Sequence, residues 1–224
     1  MANLQDPSIT GRALANRIAE EWPGSAFYEP GTVRAIQQKV DMLAAHMQKQ
    51  LKEHEAAMSN TCQVFEFLLQ DLGNFAECFQ EAFGARLSEQ QLELIARINM
   101  QADPDRSVGI LHILWHAISF TTRGNTKPLA LNRPGRPPLF TGRIIAVNGD
   151  FLDTRSNLHN ANINELLHQE IASLFVPSDP AAPAVMKIKH LAGEELYFHQ
   201  ADAPRRFLLK VVEIVCGGGF FHEQ

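Results

Sequence analysis

Two features of this sequence could carry chemistry: two histidines four residues apart, His112 and His116, and a run of cations with no acid between residues 106 and 149. On a helix, side chains at i and i+4 share a face, so His112 and His116 would offer two imidazoles to one metal ion. The intervening Ile113, Leu114 and Trp115 lack the glutamate that serves as base in hydrolytic zinc helices, and spacing supplies no third ligand. Metal or haem binding through this pair is one reading. Two imidazoles packed within an apolar helix is the plainer one, and no cofactor is expected.

The cationic run holds Arg106, Arg123, Lys127, Arg133, Arg136 and Arg143, a charge of +6 that leaves -11 for the rest of a chain whose net charge is -5. Guanidinium forks bind carboxylates and phosphates in two-point fashion, and Pro128, Pro134, Pro137 and Pro138 stiffen the loop that bears them. Arg123, Lys127, Arg133, Arg136 and Arg143 are therefore the candidate binding residues, for an acidic protein or a phosphate group. The competing reading is neutralisation by the chain's own acidic helices. Nucleic acid is disfavoured, because the run has few aromatics, with Phe120 and Phe140 near its two ends, to stack on bases. Residues 133–138 also contain a PxxP spacing flanked by arginine, the format of polyproline ligands as well as of plain extended linkers.

Nothing else in the sequence assembles a catalytic constellation, so an enzyme is the less favoured class. Cys62, Cys78 and Cys216 form neither a CxxC pair nor a disulfide scaffold, in keeping with a reducing compartment. The first two read as small buried hydrophobes, and Cys216, beside Gly217, as exposed and reactive. The triple glycine that follows precedes no helix and lacks the lysine of a phosphate loop. Asp150 and Asp153 could serve as acid or base, but aspartates are also ordinary turn residues after Asn148-Gly149.

The elements that position these residues begin with the stretch 33–83, where Val33, Ile36, Val40, Leu43, Met47, Leu51, Met58, Phe65, Leu68, Leu72, Phe75 and Phe79 recur mostly three or four apart. That is the period of one helical face. The part before Met58 has a narrow stripe resembling a two-helix seam, which implies a homo-oligomer, and the part from Cys62 is apolar enough to be central. The weak helix formers Ser59-Asn60-Thr61 could break the run into a helical hairpin. A short helix is expected over 6–22, another from Ser88 with its Gln91 capping box, and an interior helix over 104–123 opened by Asp103-Pro104. Beyond the proline-rich stretch, residues 143–147 predict a strand ended by Asn148-Gly149, residues 162–175 a helix, and 185–189, 194–199 and 207–215 three strands.

The resulting class is α+β: a predominantly helical domain over 1–124, a basic linker over 125–138, and a small antiparallel sheet with one helix over 139–224. A balance of 45% hydrophobic and 20% charged residues gives enough apolar material for a core. No secretory signal or membrane-spanning run is read, and the expected location is the cytoplasm, with signal-less export as the alternative.

The segment Gly142-Arg143-Ile144-Ile145-Ala146-Val147-Asn148 with Phe151 and Leu152, then Glu165-Leu166-Leu167, Pro177-Ser178-Asp179 and the terminal strands, resembles the order of elements in a PAS-type sensor module over the last third of the chain. That resemblance implies a ligand or haem sensor. The leading expectation from the residues is an interaction or regulatory protein that self-associates through its helical half and contacts an acidic or phosphate-bearing partner through the basic loop. A third alternative is a secreted effector enzyme whose site assembles from residues distant in sequence.

Overall fold

The structure, a computed structural model, describes residues 30–123, 129–133, 136–151, 168–189 and 195–217. Helix α1 (Pro30–Gly84) is followed by a 3-10 helix (Glu89–Arg97). Eight strands come next: β1 (Ile98–Ala102), β2 (Val108–Ile113), β3 (His116–Thr121), β4 (Leu129–Arg133), β5 (Arg136–Asn148), β6 (Glu170–Pro177), β7 (Ala184–Ile188) and β8 (Glu195–Phe198). Helix α2 (Ala203–Cys216) closes the described chain. The architecture is α+β with a helical N-terminal half. The chain divides into two compact units, Met1–Glu53 and His54–Gln224.

In the second unit the strands form one antiparallel sheet in the order β1-β2-β3-β5-β6-β7-β8. Strand β5 is long enough to pair twice along one edge, with β4 through residues 136–141 and with β3 through residues 145–148. Pairing on its other edge begins only at Thr141 opposite Pro177, so Pro137 and Pro138 precede the stretch where β6 would need their missing N–H groups.

Alternation along the strands assigns the two faces. Leu111, Ile113, Ile118, Phe120, Ile144, Ala146, Leu174, Val176 and Met186 share one core with Val64, Phe65, Leu68, Leu69 and Leu72 of α1 and with Phe207, Leu208 and Val211 of α2. Both helices thus cover the same face. Opposite them, Val108, Ile110, Ile145 and Val147 bury a smaller cluster with Phe151.

Helix α1 traverses the sheet, and its contacts trace the crossing. Asn60 donates to the carbonyls of Pro177, the last residue of β6, and Ser178 just after it, both at 3.0 Å. Thr61 meets Gly142 of β5, Leu69 and Leu72 meet Gly109 of β2, and Gln80 donates to the carbonyl of Ile98 at β1. The two glycines let the backbones approach: a Cβ at Gly142 would lie 2.0 Å from Thr61 Oγ1 and 3.2 Å from the Ala57 carbonyl. The Ser59-Asn60-Thr61 triplet therefore does not break the helix. Asn60 is used in the contact with the sheet, and Thr61 packs on Gly142 while donating back to the Ala57 carbonyl within the helix at 2.7 Å.

Several expectations are corrected. Residues 104–123 do not form an interior helix but the β2–β3 hairpin, turning at Leu114 (φ 58°) and Trp115. An uninterrupted apolar run suits a strand buried on both faces as well as it suits a buried helix, and Asp103-Pro104 opens a turn instead of a helix. The stretch 207–215 is helical: Phe207, Leu208, Val211 and Val215 hold one face, and Pro204 sits in the first turn after Asp202. Residues 170–175 belong to β6, so the helix expected over 162–175 does not extend there; Glu165-Leu166-Leu167, the helix of the PAS-like order, lies outside the described residues. The expected linker over 125–138 contains β4 and the start of β5. The segment after Ser88 is 3-10 helical, with Gln91 Oε1 accepting from the Ser88 N–H at 3.3 Å. The strands at 143–147, 185–189 and 194–199 are found within β5, β7 and β8, and Gly149 takes φ 120° as the turn requires. The helix expected over 6–22 lies outside the described residues.

Replacing Gly142 by alanine pushes a methyl into the Thr61 side chain and the Ala57 carbonyl, neither of which is the far end of a flexible chain. Such overpacking costs about 1–3 kcal/mol. A urea melt of Gly142→Ala should show a lower midpoint with an unchanged slope; an unaltered midpoint would show that the helix stands off the sheet.

Candidate functional site

Three of the six cations in the acid-free run are held by carboxylates of the same chain. Arg106 Nε donates to both oxygens of Glu66 on α1, at 3.0 and 2.8 Å. Arg143 Nη2 donates to Glu170 Oε1 at 2.6 Å and its Nε to Ser173 Oγ at 2.7 Å, while its guanidinium lies 5.7 Å from the centre of the Phe175 ring. Arg123 Nη2 donates to Asp103 Oδ2 at 2.8 Å.

The Asp103 cluster is the most elaborate of these. Its side chain is 2% exposed. Oδ1 accepts from the N–H groups of Ser107 (2.7 Å) and Val108 (2.8 Å), and Oδ2 from the Ser107 hydroxyl (2.7 Å) as well as from Arg123. Arg123 Nε also donates to Ser107 Oγ, and the Arg123 N–H to Thr121 Oγ1. The cluster ties the β1–β2 turn to the end of β3. Burial works against the charged carboxylate, but the bonds from Val108, Ser107 and Arg123 outweigh it and hold the Asp103 pKa below the usual aspartate value. The sequence carried a signal for this role in Asp103-Pro104, an Asx-turn opening.

Arg123 and Arg143 serve separate intramolecular networks, Lys127 lies outside the described residues, and Arg133 and Arg136 face each other in the β4–β5 ladder with side chains outside the described set. The reading of Arg123 and Arg143 as open contacts for an acidic partner is corrected accordingly, since internal carboxylates already occupy them.

The histidine pair is corrected too. Ile113 is opposite His116 and His112 opposite Ala117 across the hairpin, so the two rings fall on opposite faces of the sheet and cannot bind one ion. His112 Nε2 lies 3.2 Å from Asp150 Oδ2 on the face away from the helices, off-axis for a hydrogen bond. Among the described residues, no cluster of three or more His, Cys, Asp or Glu side chains is arranged to hold a metal ion.

Cys62, Cys78 and Cys216 are all exposed and unpaired. The burial expected for the first two fails because they sit on the flanks of α1, about 90–110° around the axis from the centre of the stripe formed by Phe65, Leu68 and Leu72. For Cys216, partial desolvation pushes the thiol pKa up, which works against the reactivity its exposure would allow.

In the first unit an apolar stripe is exposed. Ile36, Val40, Met42, Leu43, Met47 and Leu51 of α1 are between 49 and 74% exposed. In the second unit, Trp115 at the β2–β3 turn is 80% exposed. Among the described residues, no helix is long and apolar enough to cross a membrane. No protein-family model, curated protein or solved structure matches the chain.

Asp103→Asn keeps the shape but gives up a charged acceptor of four hydrogen bonds, and should cost about 1–3 kcal/mol. Because the folded pKa of Asp103 lies below its unfolded value, its ionic contribution is complete above the unfolded value and is lost as pH falls through the folded one. Denaturation midpoints of the two proteins should therefore converge below about pH 4. Iodoacetamide should modify Cys216 more slowly at pH 8 than an unperturbed thiol, and peptide mass spectrometry over a time course reads this directly.

Proposed function

We propose that this chain is an interaction protein that associates with itself through the apolar stripe on α1 between Ile36 and Leu51. The observation that supports it is the exposure of Ile36, Val40, Leu43, Met47 and Leu51 at successive gaps of three or four residues, together with Met42 beside them. Fully burying such a side chain is worth about 1.5–3 kcal/mol. Five of them on one face form a coherent surface, unlike apolar residues scattered singly.

The composition around the stripe agrees with this reading. Its remaining faces carry Arg34, Lys39, Asp41, Lys49, Lys52, Glu53 and the glutamines 37, 38, 48 and 50, so the apolar strip is narrow, as in two-helix seams. A helix over these residues gains little from its own propensity and most from burying its strip against a partner. Contact with an acidic protein or a phosphate group would fall to Lys127, Arg133 and Arg136, since Arg123 and Arg143 are engaged within the chain.

Sedimentation velocity over a hundredfold range of concentration tests the proposal. The wild type should pass from monomer to a larger species, whereas Leu43→Glu/Met47→Glu should remain monomeric and keep the thermal midpoint of the sheet unit. A wild type that sediments as a monomer throughout would exclude it.

A further inference from the structure

We infer that the partner on the α1 stripe is a second copy of the chain running antiparallel to the first, with Leu43 and Met47 at the two-fold axis. This rests on the self-association proposed above and adds orientation and register to it. At 100° per residue, Ile36, Val40, Leu43, Met47 and Leu51 fall within one quarter of the helix circumference. Lys39 and Glu53 lie two heptads apart on the same flank of that strip, and both side chains reach solvent.

Same-flank residues meet each other across an antiparallel pair, whereas opposite flanks meet across a parallel one. With Leu43 of one copy against Met47 of the other, antiparallel packing brings each Lys39 to the partner's Glu53, giving two symmetric pairs of opposite charge. The same packing sets Val40 opposite Gln50, with Leu51 beside it.

Parallel packing in register has no such reward. Lys39 then faces Ala44 and His46 faces Leu51, neither of which supplies a counter-charge. Among the described residues, Glu53 pairs with Lys49 of its own chain in an exposed contact at 3.8 Å, which water weakens. It is therefore available to a second cation. The apolar strip supplies the affinity, and the flanking charges choose between the two orientations.

Two experiments on the full-length chain test this, both by methods that register association and orientation separately. In the first, sedimentation equilibrium compares charge variants. Lys39→Glu and Glu53→Lys should each weaken the dimer roughly three- to tenfold, and the double exchange should recover wild-type affinity, because surface pairs of this kind contribute modestly. In the second, Cys62, Cys78 and Cys216 are replaced by serine and a single cysteine is introduced. Protein carrying Val40→Cys mixed with protein carrying Gln50→Cys should form a mixed disulfide on mild oxidation. Val40→Cys alone should not, since antiparallel packing separates the two copies of that position by about 15 Å along the axis. A disulfide dimer of Val40→Cys alone, or single charge variants that associate as tightly as wild type, would overturn the antiparallel pairing while leaving self-association standing. A wild type that is monomeric at all concentrations would remove both.

Discussion

The fold depends on how closely α1 can lie on the sheet. A helix packed on a sheet ordinarily rests on a layer of side chains, but here two strand positions directly beneath the axis, Gly109 and Gly142, have no side chain at all. The space they leave is taken by Leu69 and Leu72 at one crossing and by Thr61 and the Ala57 carbonyl at the other. Interiors are packed as densely as organic crystals, so this approach fixes the helix in rotation and in translation. With rotation set, the polar groups follow: Asn60 reaches the carbonyls at the end of β6, Glu66 reaches Arg106, and Gln80 reaches β1.

That fixed rotation also decides what stays outside. The residues that turn away from the sheet in the second unit include Cys62, Phe67 and Cys78, whereas Val64, Phe65, Leu68 and Leu72 turn in. Between Ile36 and Leu51 the same kind of periodic stripe is exposed. A single helix thus carries two apolar surfaces, one covered by the sheet and one exposed. The difference is visible in the residues, since the sheet-facing part is rich in Phe and Leu while the exposed part mixes Ile, Val and Met with a polar surround.

How much of this was legible in the sequence varies with the element. The long helix was readable because its 3.6-residue period persists over many turns, and no short competing pattern can imitate that. Strand β5 was readable from its β-branched residues before Asn148-Gly149, and β7 and β8 from the turn signals Ala192-Gly193 and Ala203-Pro204 in the sequence. The run 108–121 was not, because both faces of the hairpin are buried and the two-residue alternation that marks a strand is erased. In 207–215 the β-branched valines and isoleucine of a helix imitate a strand, and only Pro204 and the 207, 208, 211, 215 spacing argue otherwise. The candidate histidine site failed with the element beneath it: the i, i+4 geometry exists only on a helix, and on a hairpin the same two residues part to opposite faces.

The arginines show a limit of a different kind. A count of charge along the chain treats the acid-free run as one positive surface, but the acids that neutralise it, Glu66, Asp103 and Glu170, come from outside its boundaries and are brought in by folding. Each pair crosses between elements: α1 to the β1–β2 turn, that turn to the end of β3, and β5 to β6. Arg106, Arg123 and Arg143 are therefore ties that lock turn and strand positions, and their charge is spent within the chain. Apolar surface cannot be neutralised in that way. It is either covered or left in contact with water, and the stripe of α1 between Ile36 and Leu51 is left in contact with water.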